Sequence, residues 1–225
     1  MPITVILYRT GMKRELFKYL TMTAVVWLLI NLPVMATTPT GWWHFYKLNL
    51  DRNSDWGSLW YSLVIFGVDV KHLNNIASIA LLALLAGLVI YLLEISYVPS
   101  LSEVSFVVLA SVICIGKVYS PQYVLWLAPL AIIAIREKVH LPVFWVWQGS
   151  EVLYHLAIWQ HLALVTGLKF GVTNEAYAIA TVVRIAATFL LVASFARTSL
   201  RTPPDTPNSR GKLADFLFGT ASSYP

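Results

Sequence analysis

Lys117, Ser120, Gln122, Tyr123 and Trp126 fall within ten consecutive residues, Lys117-Val-Tyr-Ser-Pro-Gln-Tyr-Val-Leu-Trp126. An ammonium, a hydroxyl and an amide beside aromatic rings can hold a phosphate or the hydroxyls of a sugar. Gly116 and Pro121 bracket the group, so a straight helix is not expected to run through it. In an apolar chain, irregular polar backbone of this kind belongs where it lines a cavity or meets the water interface. The plainer alternative is a turn in which Lys117 snorkels toward lipid headgroups.

A second group lies upstream: Trp42, Trp43, His44, Phe45, Tyr46, Lys47, Asn49, Asp51, Arg52, Asp55 and Trp56. Aromatic faces such as Trp42 and Trp56 cover the apolar faces of a sugar, while Asn49, Asp51, Arg52 and Asp55 meet hydroxyls or phosphate. The same residues also fit an interfacial aromatic belt with solvated charges. Asp51 and Asp55 are compatible with a divalent cation, although no ligand cluster demands one.

A third group lies within apolar runs. Gln148, Glu151 and His155 are spaced i, i+3, i+7, and Arg184 interrupts a later run. A charge inside a bilayer is costly and calls for a partner, so Glu151 and Arg184 are expected to pair, with Glu151, His155 and Arg184 read as structural intramembrane residues. No Ser-His-Asp order or metal-binding motif is present. The lone cysteine, Cys114, excludes an internal disulfide and a Cys-based metal site.

These groups must be positioned by membrane helices. The chain has 225 residues, of which 58% are hydrophobic and only 12% charged, against about 25% charged in soluble domains. Several runs approach the roughly 20 apolar residues that span a bilayer. The expected fold is an all-α integral membrane protein with about six spans: 19–37, 76–93, 104–116, 119–135, 139–165 and 176–196. Residues 58–68 are too short to span and read as an interfacial or re-entrant helix. Residues 39–57 read as a polar-aromatic segment between spans, residues 1–200 as one membrane domain, and 201–225 as a disordered cytoplasmic tail. No cleavable signal peptide is expected. Placing both termini in the cytoplasm puts ten Lys and Arg inside and five outside, as the positive-inside rule favours. Residues 39–57 and 117–122 then share the external face. The scattered basic residues fit this topology rather than nucleic-acid binding.

Lys117-Val-Tyr-Ser-Pro-Gln-Tyr-Val-Leu-Trp-Leu-Ala-Pro-Leu130 resembles the K-x-x-S-P-Q-Y-x-x-W-x-x-P segment of bacterial polytopic glycosyltransferases of family 87. Asn31-Leu-Pro, Gly41-Trp42, Phe45-Tyr46, Asn49, Arg52 and Asp55-Trp-Gly-Ser-Leu-Trp60 are similar to the same family. The resemblance implies a GT-C fold and the bacterial plasma membrane as its location. It also implies transfer of a hexose, mannose above all, from a polyprenyl-phosphate donor to a hydroxyl of a lipid or glycan acceptor at the external face. Lys117, with Arg52 second, would meet the donor phosphate. Ser120, Gln122 and Tyr123 would position the substrates, and Trp42 and Trp56 would offer stacking surfaces. The family carries its essential acidic residue in a large external loop after its first span. That loop has no counterpart here, so the resemblance covers the C-terminal half, and Asp51 and Asp55 do not correspond to the catalytic base. On this reading the base lies outside the chain, which is a truncated product, a mis-called start or part of a split protein. A non-catalytic subunit that binds lipid-linked sugar and a transporter component are the alternatives.

Overall fold

The computed structural model describes residues 1–69, 71–95 and 98–201, the last four without their side chains. The tail expected beyond residue 201 lies outside them. The described residues form nine α-helices and one 3-10 turn, with no strand. The helices are α1 (Pro2–Arg9), α2 (Lys13–Thr37), α3 (Pro39–Asp51), α4 (Leu59–Ile65), α5 (Leu73–Glu94), α6 (Leu101–Ile115), α7 (Val124–Ala134), α8 (His140–Val165) and α9 (Asn174–Arg201).

Three of the six expected spans are long and apolar enough to cross a membrane: α2, α5 and α9. The other three fall short for separate reasons. α6 has 15 residues and α7 has 11. α8 has 26, but Gln148, Glu151, His155 and His161 dilute its apolar character. Six spans is therefore corrected to three helices of spanning length and hydropathy, with three shorter or more polar helices beside them. α2 buries none of its residues. A helix that is apolar all round and unburied suits a lipid environment.

Two segments not expected to be helical are helical. α3 replaces most of the anticipated 39–57 connection. Pro39 occupies its first turn, where a missing N–H costs nothing, and the Trp42 ring packs at a tilt against Tyr46 one turn later, centroids 4.7 Å apart. α1 buries Val5, Ile6 and Leu7, and Val5 and Ile6 form a small core with Leu92, Ile95 and Val104. Gly11, at φ +69°, then turns the chain into α2.

The main core lies where α6, α7, α8 and α9 meet: Phe106, Ala110, Cys114, Leu127, Ala131, Trp147 and Leu191 are all fully buried there. Ser100 caps α6 by accepting from the Glu103 N–H at 3.2 Å, the first half of a Ser-x-x-Glu cap. α4 is short, as expected, and Ser58 caps it in the same way through Tyr61. α4 and α6 both pack on α9, which brings residues 52–60 against the segment joining α6 to α7.

Candidate functional site

That joining segment is not helical until Pro121–Tyr123 form a 3-10 turn leading into α7. Helix α6 stops at Gly116, and Ser120 is extended at ψ 148° before the proline, as residues preceding proline prefer. The bend expected at 117–122 is present.

Arg184 on α9 holds it there. Its Nε donates to Glu151 Oε2 at 2.8 Å, Nη1 to the Tyr119 carbonyl at 2.8 Å and Nη2 to the Ser120 carbonyl at 3.3 Å. The guanidinium lies 3.5 Å over the Tyr119 ring and 4.2 Å over Tyr154, the geometry of a cation on an aromatic face. Glu151 completes the cage by accepting from the Tyr119 hydroxyl at 3.1 Å. Arg184 and Glu151 are 0% and 3% exposed, so the expected pair exists and is sealed from solvent. Glu151 and Arg184 thus position the bend, and neither lines the cleft described below.

The segment after Asp51 straps onto the same bend. The Asp55 N–H donates to the Lys117 carbonyl at 2.8 Å, Trp60 Nε1 to the Ile115 carbonyl at 2.7 Å, and the Gly57 N–H to the Tyr177 hydroxyl at 2.7 Å. Gly57 has φ +76°, and a Cβ there would collide with the Tyr119 carbonyl and the Tyr154 hydroxyl. Only glycine fits so close an approach.

Between strap, bend and α8 lies an open cleft of about 570 Å³. Its polar wall is Arg52, Asp55, Ser120 and Gln122; Trp56, His155 and Trp159 flank it, and Val118, Pro121, Val124, Leu125, Ile158 and Leu162 make the rest apolar. Arg52 is ion-paired to Asp55, whose other oxygen accepts the Trp56 N–H at 2.7 Å. This pair is partly exposed, so water screens it and exchange for another anion costs little. The Ser120 hydroxyl donates to the Gln122 side-chain carbonyl.

Five of the eleven expected binding residues therefore meet in the cleft: Arg52, Asp55, Trp56, Ser120 and Gln122. Lys117 does not line it. Its ammonium donates to the carbonyls of Asn49 at 2.9 Å and Leu50 at 3.0 Å and to Asn74 Oδ1 at 2.7 Å. It caps the C-terminus of α3, where a cation complements the helix dipole. Partial burial pulls this ammonium below the usual lysine range, with the Asp51 charge opposing. Arg9 serves α5 in the same way, donating to the carbonyls of Leu92 and Ile95. Asn49 donates to the Phe45 carbonyl within α3, and Asp51 ends that helix. Trp42 Nε1 donates to Asn31 Oδ1 at 2.9 Å within a cluster containing Trp27, Trp43 and Tyr46. Tyr123 stacks between Tyr119 and Trp126, away from the cleft lining.

His155 moves the other way. Expected to be structural, it lines the cleft. Ile158, Trp159 and Leu162 were not anticipated as site residues. Their signal was present, because they lie at i+3, i+4 and i+7 from His155 and thus on its helical face. No group of three or more metal-ligating side chains occurs among the described residues.

The class that this fold and composition fit is a helical membrane protein with an amphipathic cleft at one bend. No family model, no curated protein and no solved structure matches the chain.

Proposed function

We propose that the chain is a GT-C-type membrane glycosyltransferase, or the donor-binding part of one. It would act on a polyprenyl-phosphate hexose, mannose above all, and pass the sugar to an acceptor hydroxyl at the external membrane face. The observation that carries this reading is the cleft itself. Arg52 and Trp56 from one segment that resembles family 87, and Ser120 and Gln122 from the other, line a single cavity. In this reading Arg52 exchanges Asp55 for the donor phosphate, since guanidinium and phosphate match in charge and geometry. Trp56 and Trp159 cover the sugar faces. Leu125 and Trp159, 71% and 64% exposed, lead from the polar wall toward lipid and suit the first isoprene units. Lys117 leaves the role of phosphate partner to Arg52. External placement of the cleft and cytoplasmic termini belong to this proposal.

A donor-binding subunit without turnover is the second reading. It is favoured by Asp55, the one carboxylate among the described residues lining the cleft, having both oxygens engaged. The Glu151–Arg184 pair gives the transport reading little support, because it is buried and fully engaged in holding the bend.

The test is equilibrium binding of polyprenyl-phosphate mannose to the chain in lipid nanodiscs, against the unphosphorylated polyprenol as control. Saturable binding that needs the phosphate supports the reading. Equal retention of both lipids contradicts it.

A further inference from the structure

We propose that His155 is the proton acceptor of the cleft, taking the proton of the acceptor hydroxyl through its Nε2 as the sugar is transferred. This rests on reading the cleft as a hexose-transfer site. It locates within the chain the base that the family resemblance places outside it.

The imidazole is oriented by its own helix. His155 Nδ1 lies 2.7 Å from the Glu151 carbonyl oxygen. A carbonyl only accepts, so Nδ1 carries the hydrogen, and in the neutral ring Nε2 keeps the basic lone pair. The Glu151 carbonyl is itself fixed, because the carboxylate of that residue is tied to Arg184 and Tyr119. The buried ion pair therefore shapes the bend on one side and sets the imidazole on the other. Held in one tautomer, and lining the same cleft as the arginine proposed for the phosphate, His155 offers the oriented lone pair that a general base needs.

The other candidate groups differ from His155 in their surroundings. In the donor-free cleft Asp55 accepts from Arg52 and from the Trp56 N–H, and once Arg52 turns to the donor phosphate it keeps the Trp56 contact alone. Glu151 is buried, and Asp51 is not part of the lining. His161 stacks on Tyr177 at 4.5 Å and faces the Val172 carbonyl. In the donor-free cleft, among the described lining residues, His155 is the one with a basic lone pair not already engaged.

The step balances. The acceptor O–H gives its proton to Nε2, and the oxygen forms a bond to the anomeric carbon. The bond from that carbon to the phosphate oxygen breaks, and its electron pair leaves with polyprenyl phosphate. The imidazolium then returns its proton to water.

His155→Asn tests this. The chain already uses asparagine to donate to a carbonyl four residues earlier, at Asn31 to Trp27 and Asn49 to Phe45, each at 2.8 Å. The substitution can therefore keep the helix contact while removing the base. The full chain in nanodiscs would be given polyprenyl-phosphate mannose with octyl mannoside as hydroxyl acceptor, and donor binding would be measured in parallel. The expected result is unchanged donor affinity with kcat lowered by a factor of about 10² to 10⁴. Turnover within about threefold of wild type would overturn the role of His155 and leave the transfer reading standing. Donor affinity lost along with turnover would overturn it too, by showing that His155 serves binding. Donor binding by the wild-type chain without any release of polyprenyl phosphate would overturn both the base and the transfer reading, leaving the donor-binding reading in place.

Discussion

Arg184 donates to the Tyr119 carbonyl at 2.8 Å while its guanidinium lies 3.5 Å over the ring of the same tyrosine. One side chain on α9 thus grips both backbone and side chain of the bend that forms a wall of the cleft. Glu151 neutralises it from α8 and accepts from the Tyr119 hydroxyl, so the bend is held from two helices at once.

Removing one partner of a buried pair leaves the other charge uncompensated, at a cost of about 3–5 kcal/mol. Arg184→Ala is therefore expected to lower unfolding stability in detergent by about that amount. The double variant Glu151→Leu/Arg184→Met should recover most of the loss. It should still bind polyprenyl-phosphate mannose poorly, since the Tyr119 and Ser120 carbonyls lose their clamp. Titrating denaturant and donor on the same preparations checks both halves.

Gly57→Ala combines a strained positive φ with a collision against the Tyr119 carbonyl. Strain at a left-handed position costs on the order of 1–3 kcal/mol, and the collision adds to it. Thermal unfolding in nanodiscs should fall clearly below wild type. Gly87→Ala is the control, because a Cβ there meets nothing within 4 Å.

Arg52→Ala should separate binding from stability. The Arg52–Asp55 pair is partly exposed, and such pairs contribute at most about 1 kcal/mol to folding. A hydrogen bond to a charged ligand is worth about 1.5–3 kcal/mol, so donor affinity should drop roughly 10- to 100-fold. Lys117→Ala should do the reverse. Hydrogen exchange at the end of α3 should quicken while donor affinity changes little, because the ammonium caps that helix rather than facing the cleft.

Much of this was legible from residue types, and the remainder was not for definite reasons. The bend at 117–122 followed from Gly116 and Pro121, and the Glu151–Arg184 pair from the cost of buried charge. Helix α3 was hidden because Asn49, Asp51 and Lys47 read as loop residues, whereas Pro39 and the Trp42–Tyr46 spacing were the local cues that decide it. Lys117 looked available because sequence does not show which carbonyls lie within reach; the partners are 68 and 67 residues away. His155 was counted among intramembrane structural residues because helical spacing gives its face but not what lies opposite. The count of spans failed at α6 and α7 because their helices are only 15 and 11 residues long, and at α8 because polar side chains interrupt an otherwise long helix.

The most direct test of the account is site-resolved photolabelling. A polyprenyl-phosphate mannose carrying a diazirine on its first isoprene unit would be bound to the chain in nanodiscs, irradiated, and the adducts mapped by peptide mass spectrometry. The account predicts adducts confined to residues 118–125 and 155–162, abolished by excess unlabelled donor and reduced by Arg52→Ala. Adducts that resist competition, or that map instead to the Trp27, Trp42 and Trp43 cluster, would contradict it.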